Sequence, residues 1–268
     1  SGLYIDSSLN ADGCIQVDSL DLTIYNATTS IDIQSACDSY VWNGVTYDSS
    51  GTYSYAGNST SNNNSSMNFD YGVSDDVYIG YNPLFNSNNL TVSFSIYPNS
   101  YCWAGNNNCE SSPFSRYGAY AGEVIRTGFD NNYFSAQIKD ESNNILEVYS
   151  GALPLNQWSH ISFTWDGSEL KLYIGGTLVH SNYDDTFMIK TSSNSGISIG
   201  ELAASNGNWY RMDGMMDNVE YWNTALTQSE IQNYMNCPPV GNESGLVGYW
   251  NFEEGPGSTI ALDQTTNG

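Results

Sequence analysis

The sequence predicts an all-β chain: an antiparallel β-sandwich behind a small β-rich segment. Three observations predict it. Apolar and polar residues alternate in short runs, the clearest being Leu90, Val92, Phe94 and Ile96 against Thr91, Ser93 and Ser95, so one face of each run is buried. Asp166-Gly167 and Gly175-Gly176 stand where hairpin turns belong. Helical signals are nearly absent, apart from the capping box Thr227-Gln228-Ser229-Glu230 followed by Ile231.

In chain order, residues 1–57 come first. Ser1-Gly2-Leu3-Tyr4 recurs as Ser50-Gly51-Thr52-Tyr53, and an alternating strand runs from Ser19 to Ile24. With Gly13-Cys14 and the run Ala36-Cys37-Asp38-Ser39-Tyr40-Val41-Trp42-Asn43-Gly44, this segment resembles a short Cys-containing β-repeat of large bacterial surface proteins. Residues 58–66 are Asn, Ser and Thr and read as a polar linker. Strand patterns resume at Met67. Ile161, Phe163 and Trp165 form one, Leu170, Leu172 and Ile174 the next, and Ile197 and Ile199 begin another. The stretch Tyr210 to Ile231 joins the Asp213-Gly214 turn, a strand through Met216, Val219, Tyr221 and Trp222, and the capped helical turn.

Residues 67–236 resemble a laminin G-like, pentraxin-like (concanavalin A-type) jelly roll. The opening is Asn68-Phe69-Asp70 with Asp75-Asp76-Val77-Tyr78-Ile79, although Tyr71 stands where the family commonly has Gly. Leu90 to Asn99 matches the next strand, Gln157 to Gly167 the central W-x-H hairpin, and Tyr210 to Ile231 the terminal strand and helix. The implied fold is an antiparallel jelly-roll β-sandwich with a small N-terminal β-repeat domain. In the tail, 237–268, Leu246-Val247-Gly248-Tyr249-Trp250-Asn251-Phe252 resembles the strand that usually begins such a domain. It can open another copy, complete this sandwich as a permuted strand, or be donated to a neighbouring subunit. Packing against this sandwich is the favoured reading.

Composition narrows the function. Among 268 residues, 40% are hydrophobic, including 21 Tyr, 7 Trp and 9 Phe, which is ample for a core. Six basic against 29 acidic residues give a net charge of −23, the wrong sign for nucleic acid or an anionic membrane. No run approaches the ~20 apolar residues of a membrane span, so no membrane insertion is expected, and no signal peptide is visible. The five cysteines lack C-x-x-C spacing. A disulfide can close the loop between Cys102 and Cys109, and another can join Cys14 to Cys37; free buried thiols are the alternative. Closing loops of this size is worth roughly 3 kcal/mol in the chain-entropy model. Disulfides imply an extracellular, cell-surface or virion setting. Cys237 is left over.

Catalytic signals are missing. His160 and His180 lie in strand patterns, and Glu123, Glu147 and Glu169 are scattered. The E-x-D-x-x-E strand of β-glucanases, which supplies paired carboxylates, does not occur. The chain is therefore read as no enzyme. Calcium, which takes six to eight hard oxygens, has candidate ligands in Asp75, Asp76, Glu201, Asp213 and Asp217. The resemblance implies Asp75, Asp76 and Asp217 as family positions; Glu201 falls near the pentraxin ligand cluster, but Leu202 and Ala203 follow it. Solvated turns are the alternative reading of these acids. For glycans, loop aromatics Trp103, Tyr117, Tyr120, Trp209 and Tyr210 lie beside Asn106, Asn107, Asn131, Asn206 and Asn208. Rings stack on sugars and amides bond their hydroxyls; an ordinary core or Tyr-rich surface is the alternative. The expected function is a non-catalytic extracellular binding or adhesion module of a large modular surface protein, binding glycans or cell-surface components with a structural calcium. The alternative is a filament or phage-fibre module that meets neighbouring copies.

Overall fold

The computed structural model describes residues 65–70, 75–101, 110–118, 122–130, 132–203, 209–255 and 257–267, and the backbone of 2–9, 15–22, 40–42 and 45–47. The chain forms two units, Ser1–Thr60 and Ser61–Gly268. In the first, β1 (Gly2–Leu9) pairs antiparallel with β2 (Ile15–Leu22), and β3 (Tyr40–Trp42) with β4 (Val45–Tyr47). Cys14, Cys37, Cys102 and Cys109, and most of the 58–66 linker, lie outside the described residues; Cys237 is free and exposed.

The second unit is the sandwich. Its strands are β5 (Met67–Phe69), β6 (Val77–Ile79), β7 (Leu90–Pro98), β8 (Glu110–Ser111), β9 (Phe114–Gly118), β10 (Gly122–Asp130) and β11 (Tyr133–Lys139). Then come β12 (Ile145–Ala152), β13 (Ser159–Trp165), β14 (Glu169–Ile174), β15 (Thr177–Tyr183), β16 (Gly196–Ile199), β17 (Glu201–Ala203), β18 (Trp209–Arg211) and β19 (Gly214–Trp222). Helix α1 (Gln228–Asn236) and β20 (Leu246–Trp250) follow. One sheet runs β12-β11-β10-β9-β16-β6, with β8 also on β10. The other runs β15-β14-β13-β7-β19-β20, with β5 also on β19. All pairings between these strands are antiparallel.

The core lies between the sheets, where strand alternation sends one side of each strand inward. Phe94 of β7 stacks on Phe114 of β9 at 6.4 Å and meets Phe134 of β11 edge-on at 6.2 Å. Ile161, Phe163, Ile125, Ile138, Ile197 and Ile199 fill the surrounding layer. Burying each such side chain contributes roughly 1.5–3 kcal/mol.

A second, smaller cluster explains why β7 is buried on both faces. Helix α1 starts on the capping box of Thr227 and Glu230 and buries Ile231. Ile231 joins Tyr173, Trp222, Leu226, Leu246 and Tyr249 on the outer side of the second sheet, and Tyr234 packs on Trp222 at 4.8 Å. Gln228 and Gln232 tie the helix to the β14–β15 turn by donating to the Gly176 carbonyl at 3.0 and 2.9 Å. The hydroxyl of Thr91, at the start of β7, donates to Thr224 O and accepts from Leu226 N–H, both at 2.8 Å.

The tail strand β20 sits in this same sheet. It pairs with Val219–Trp222 of β19, while β5 pairs with Gly214–Met216 on the same strand. Two short strands thus lie end to end beside one long one. Val247, Trp250 and Phe252 of the tail enter the main core. Where β12 and β15 meet at the sandwich side, side chains of one strand cap the backbone of the other. His180 Nδ1 accepts from Tyr149 N–H at 3.1 Å, and the Asn182 amide donates to Glu147 O at 3.0 Å. Arg116, buried on the core side of β9, donates to Phe85 O at 2.7 Å, to Ser193 O at 3.3 Å and to the Asn86 side chain. It thereby fixes the 3-10 turn Pro83–Phe85, whose last carbonyl also accepts from Tyr221 OH at 3.0 Å.

Candidate carbohydrate-binding face

The outer face of the first sheet follows from the period of two. In β11, Phe134, Ala136 and Ile138 point to the core, so Tyr133, Ser135, Gln137 and Lys139 point away. In β12, Leu146 and Val148 point inward, leaving Ile145, Glu147 and Tyr149 outside. Register then lines up one residue per strand. Glu147 pairs with Gln137, Gln137 with Arg126, Arg126 with Ser115, Ser115 with Ser198, and Ser198 with Tyr78. This polar row crosses the sheet from β12 to β6. Five inter-strand steps make it roughly 24 Å long.

Aromatic rings flank the row. The Tyr210 ring, from the β17–β18 hairpin, sits over the Arg126 guanidinium at 4.5 Å. Tyr78 is 67% exposed at one end, and Tyr133 and Tyr149 are 52% and 56% exposed toward the other. Gly196 makes the Tyr78 position possible: a Cβ there would stand 2.9 Å from the Tyr78 hydroxyl oxygen. Tyr117 lies two residues along β9 from Ser115 and pairs with Glu123 and Gly196. The Glu123 carboxylate is held by the Gln137 amide at 2.5 Å and by Lys139 at 3.3 Å. Ser115, in the middle of the row, is fully buried, its hydroxyl donating to Glu201 O of the β17–β18 hairpin at 3.5 Å, so the open part of the row runs over β10, β11 and β12. There the Arg126, Gln137 and Glu147 side chains and the exposed Tyr133 and Tyr149 rings suit the alternating C–H and O–H surfaces of a sugar chain.

Of the sequence-predicted glycan residues, Tyr117 and Tyr210 fall on this face or its rim. Trp209 begins β18, paired with Ala203, and its side chain lies outside the described residues. Trp103, Tyr120, Asn106, Asn107, Asn131, Asn206 and Asn208 also lie outside them. Sequence reasoning missed Tyr78, Arg126 and Gln137. Their signal was the outward phase of each strand, which only gains meaning once the register is known.

The five candidate calcium ligands fall in three places. Asp75, Asp76 and Glu201 gather near the β6 end of the row. Asp76 accepts from Ser198 Oγ at 3.5 Å, and Asp75 accepts from Asp70 N–H at 3.4 Å. Glu201 is buried and accepts from Arg211 Nε at 3.1 Å. Burial raises its pKa, the Arg211 bond opposes the rise, and Asp76 and Asp75 add to it. Asp213 instead braces the end of β7, accepting from Ser100 Oγ at 2.9 Å and the Asn99 amide at 3.3 Å. Asp217 accepts from Asn218 N–H at 2.7 Å, in a bulge of β19 where Asn218 has φ +49°. Among the described residues, no three His, Cys, Asp or Glu side chains converge on one ion position. These residues therefore do not form a closed cage for calcium by themselves.

The histidines are structural in their surroundings. His160 Nε2 meets Ser93 Oγ at 3.1 Å, and Ser93 meets Ser162 at 2.6 Å. Burial pushes the His160 pKa down to about 4, so the ring is neutral at pH 7. Its Nδ1 is buried with no hydrogen-bond partner, so no carboxylate orients it as a general base. Glu123 and Glu147 share the outer face but are separated by β11. Two strand spacings hold their backbones roughly 10 Å apart. The Glu123 carboxylate is also engaged, by the Gln137 amide and by Lys139.

Two facing antiparallel sheets with an exposed polar and aromatic face define a lectin-like jelly roll. The chain belongs to the concanavalin A-like lectin/glucanase superfamily, whose laminin G-type profile matches residues 70–232. Solved structures share the fold. A candidate carbohydrate-binding protein from Bacteroides ovatus superposes with a TM-score of 0.58 at 16% identity, covering 74% of this chain and 54% of its own. The chain thus spans about half the length of that protein. A heptameric SAP-like pentraxin from Limulus polyphemus superposes with a TM-score of 0.50 at 15% identity, covering 70% of this chain and 83% of its own. The search of curated proteins found no match.

Proposed function

We propose that this chain is a non-catalytic glycan-binding module whose outer sheet face holds an extended, uncharged sugar chain. The observation that carries the reading is the polar row Glu147, Gln137 and Arg126 across β12, β11 and β10, with Tyr210 stacked on Arg126 at its inner end. Three neighbouring strands with open polar side chains suit a short run of sugar residues laid across them. A net charge of −23 disfavours polyanionic glycans. The engagement of the Glu123 carboxylate by Gln137 and Lys139, with Glu147 two strands away on β12, supports binding over hydrolysis. The superfamily and the Bacteroides protein support a carbohydrate ligand. We place the module outside the cell, on a modular surface or adhesion protein. No helix among the described residues is long and apolar enough to cross a membrane.

A glycan array followed by titration of the best oligosaccharide tests this. Tyr210→Ala is expected to weaken binding roughly tenfold or more, because it removes a stacking ring from the face. The melting midpoint should change little, since Tyr210 is half-buried in a short rim hairpin. Failure of the intact protein to retain any neutral oligosaccharide would sink the reading.

Calcium is a separate element of the proposal, resting on Asp75 and Asp76 beside Glu201, with water or carbonyl oxygens completing the ion's shell. Binding of one ion there is expected to raise the melting midpoint saturably with calcium, beyond the rise given by magnesium at equal ionic strength. The Asp75→Asn, Asp76→Asn double variant should lose that difference. Equal effects of the two cations on the unaltered protein would reduce calcium to charge screening.

A further inference from the structure

Away from the sheet face, a cleft of about 280 Å³ opens beside β20. Its walls come from four parts of the chain: Leu84 of the 3-10 turn, Asn223 after β19, residues 241–247 leading into β20, and Thr266-Asn267 of the tail. Each wall is pinned by its own bonds. The Glu243 carboxylate accepts from Val240 N–H at 2.7 Å and Gly241 N–H at 2.9 Å. Gly241 has φ +97°, and a Cβ there would lie 2.0 Å from Gln264 O. Asn223 N–H donates to Gly245 O at 2.8 Å, and Ser87 Oγ donates to Asn223 O at 3.1 Å. The Asn267 amide donates to Leu246 O at 3.2 Å. Leu84 is followed by Phe85, whose carbonyl takes bonds from Arg116 and Tyr221.

The chemistry facing this rigid space is specific. The side chains of Asn223, half-buried, and of Asn242 and Thr266, both exposed, have no hydrogen-bond partner among the described residues and are open to a ligand entering from solvent. Amides and hydroxyls both donate and accept, as the hydroxyls of a sugar do. Glu243 repels anions. Leu84, 44% exposed, offers an apolar wall for a C–H face. The volume lies just below the range of roughly 300–1,000 Å³ typical of small-molecule pockets, which fits one ring and not a chain. We propose that this cleft is a second, independent site for a single uncharged sugar residue. Walls fixed before binding reduce the ordering cost, so affinity can be millimolar despite the small contact area.

The test is an NMR amide titration of the full chain, made in bacteria so that Asn242, which heads a glycosylation sequon, stays bare. The probes are methyl glycosides of glucose, galactose, mannose, xylose and N-acetylglucosamine, each to about 50 mM, a ceiling set by the expected millimolar affinity. At least one should give saturable shifts at residues 241–247 and 266–267. The Asn223→Ala, Asn242→Ala double variant should weaken it about tenfold. Tyr210→Ala should leave it unchanged, even though that substitution cripples the sheet face. The absence of saturable shifts with every glycoside overturns the proposal. So does a response lost in Tyr210→Ala and kept in the double variant, or saturation by acetate or methylammonium in place of a sugar.

Discussion

Glu220→Gln is expected to stabilise the sandwich by about 3 kcal/mol at pH 7 and to leave it unchanged at pH 4. Glu220 is 2% exposed, lies between Ser93 and Tyr249 in the second sheet, and accepts the Trp222 indole N–H at 2.9 Å. Burial raises its pKa from 4.5 to about 8; the Trp222 bond lowers it and Glu243 raises it further. Below pH 4.5 the carboxyl is protonated whether the chain is folded or not. As the pH climbs from 4.5 toward 8, the unfolded chain ionises Glu220 while the fold keeps the proton. Stability then falls by about 1.36 kcal/mol per pH unit and levels off above the folded value. Glutamine keeps an oxygen for the Trp222 N–H and has no proton to lose. Chemical denaturation of both proteins at pH 4, 6 and 8 checks this. A constant difference across the three would show that Glu220 is not held neutral. Asp166 acts in the opposite range. Its pKa is lowered to about 2, with burial, which raises it, the largest contribution, outweighed together by bonds from Glu169 N–H, Lys171 and Ser168. Its contribution is therefore lost as the pH falls from 3.8 through 2.

Gly200→Ala is expected to destabilise by roughly 3 kcal/mol or more, combining backbone strain with an overfilled core. Gly200 joins β16 to β17 at φ +91°, where an added Cβ would stand 2.2 Å from two ring carbons of Phe69. Phe69 is itself buried in the core, so its ring can move only by displacing packed neighbours. The residue also donates to Pro113 O at 2.7 Å and accepts from Met212 N–H at 2.8 Å, so it anchors both ends of the hairpin that carries Tyr210. A midpoint drop of about 6–12 °C follows for a domain of this size. Glycan affinity should fall with it, whereas Tyr210→Ala costs affinity alone. A variant as stable as the parent would mean that Phe69 yields easily and that the hairpin is not fixed from this point.

The strands and the helix cap were legible because their signals are local. Alternation in Leu90–Ile96 and the Thr227–Glu230 box each span less than ten residues, and the structure forms a strand and a helix there. The superfamily was legible from ordered motifs. The row across the outer face was not, since it depends on five separate registers, and no residue in it stands out alone. Tyr78 reads in sequence as part of a strand opening, and only Gly196, over a hundred residues later, leaves space for its ring. The cleft beside β20 was hidden for the same reason: Leu84 and Asn267 meet only through the fold. Arg116 was invisible as a core residue, because a cation in a strand normally marks the wet side. Its carbonyl partners are backbone groups, which carry no sequence signal.

The side-chain caps between β12 and β15 have a consequence for association. An unprotected outer strand is a template on which another polypeptide can extend the sheet, the route to aggregates and fibrils. Here Tyr149 N–H and Glu147 O are already engaged by His180 and Asn182. An incoming strand would have to displace those bonds before making its own. The module is thus insulated on that flank from promiscuous sheet extension.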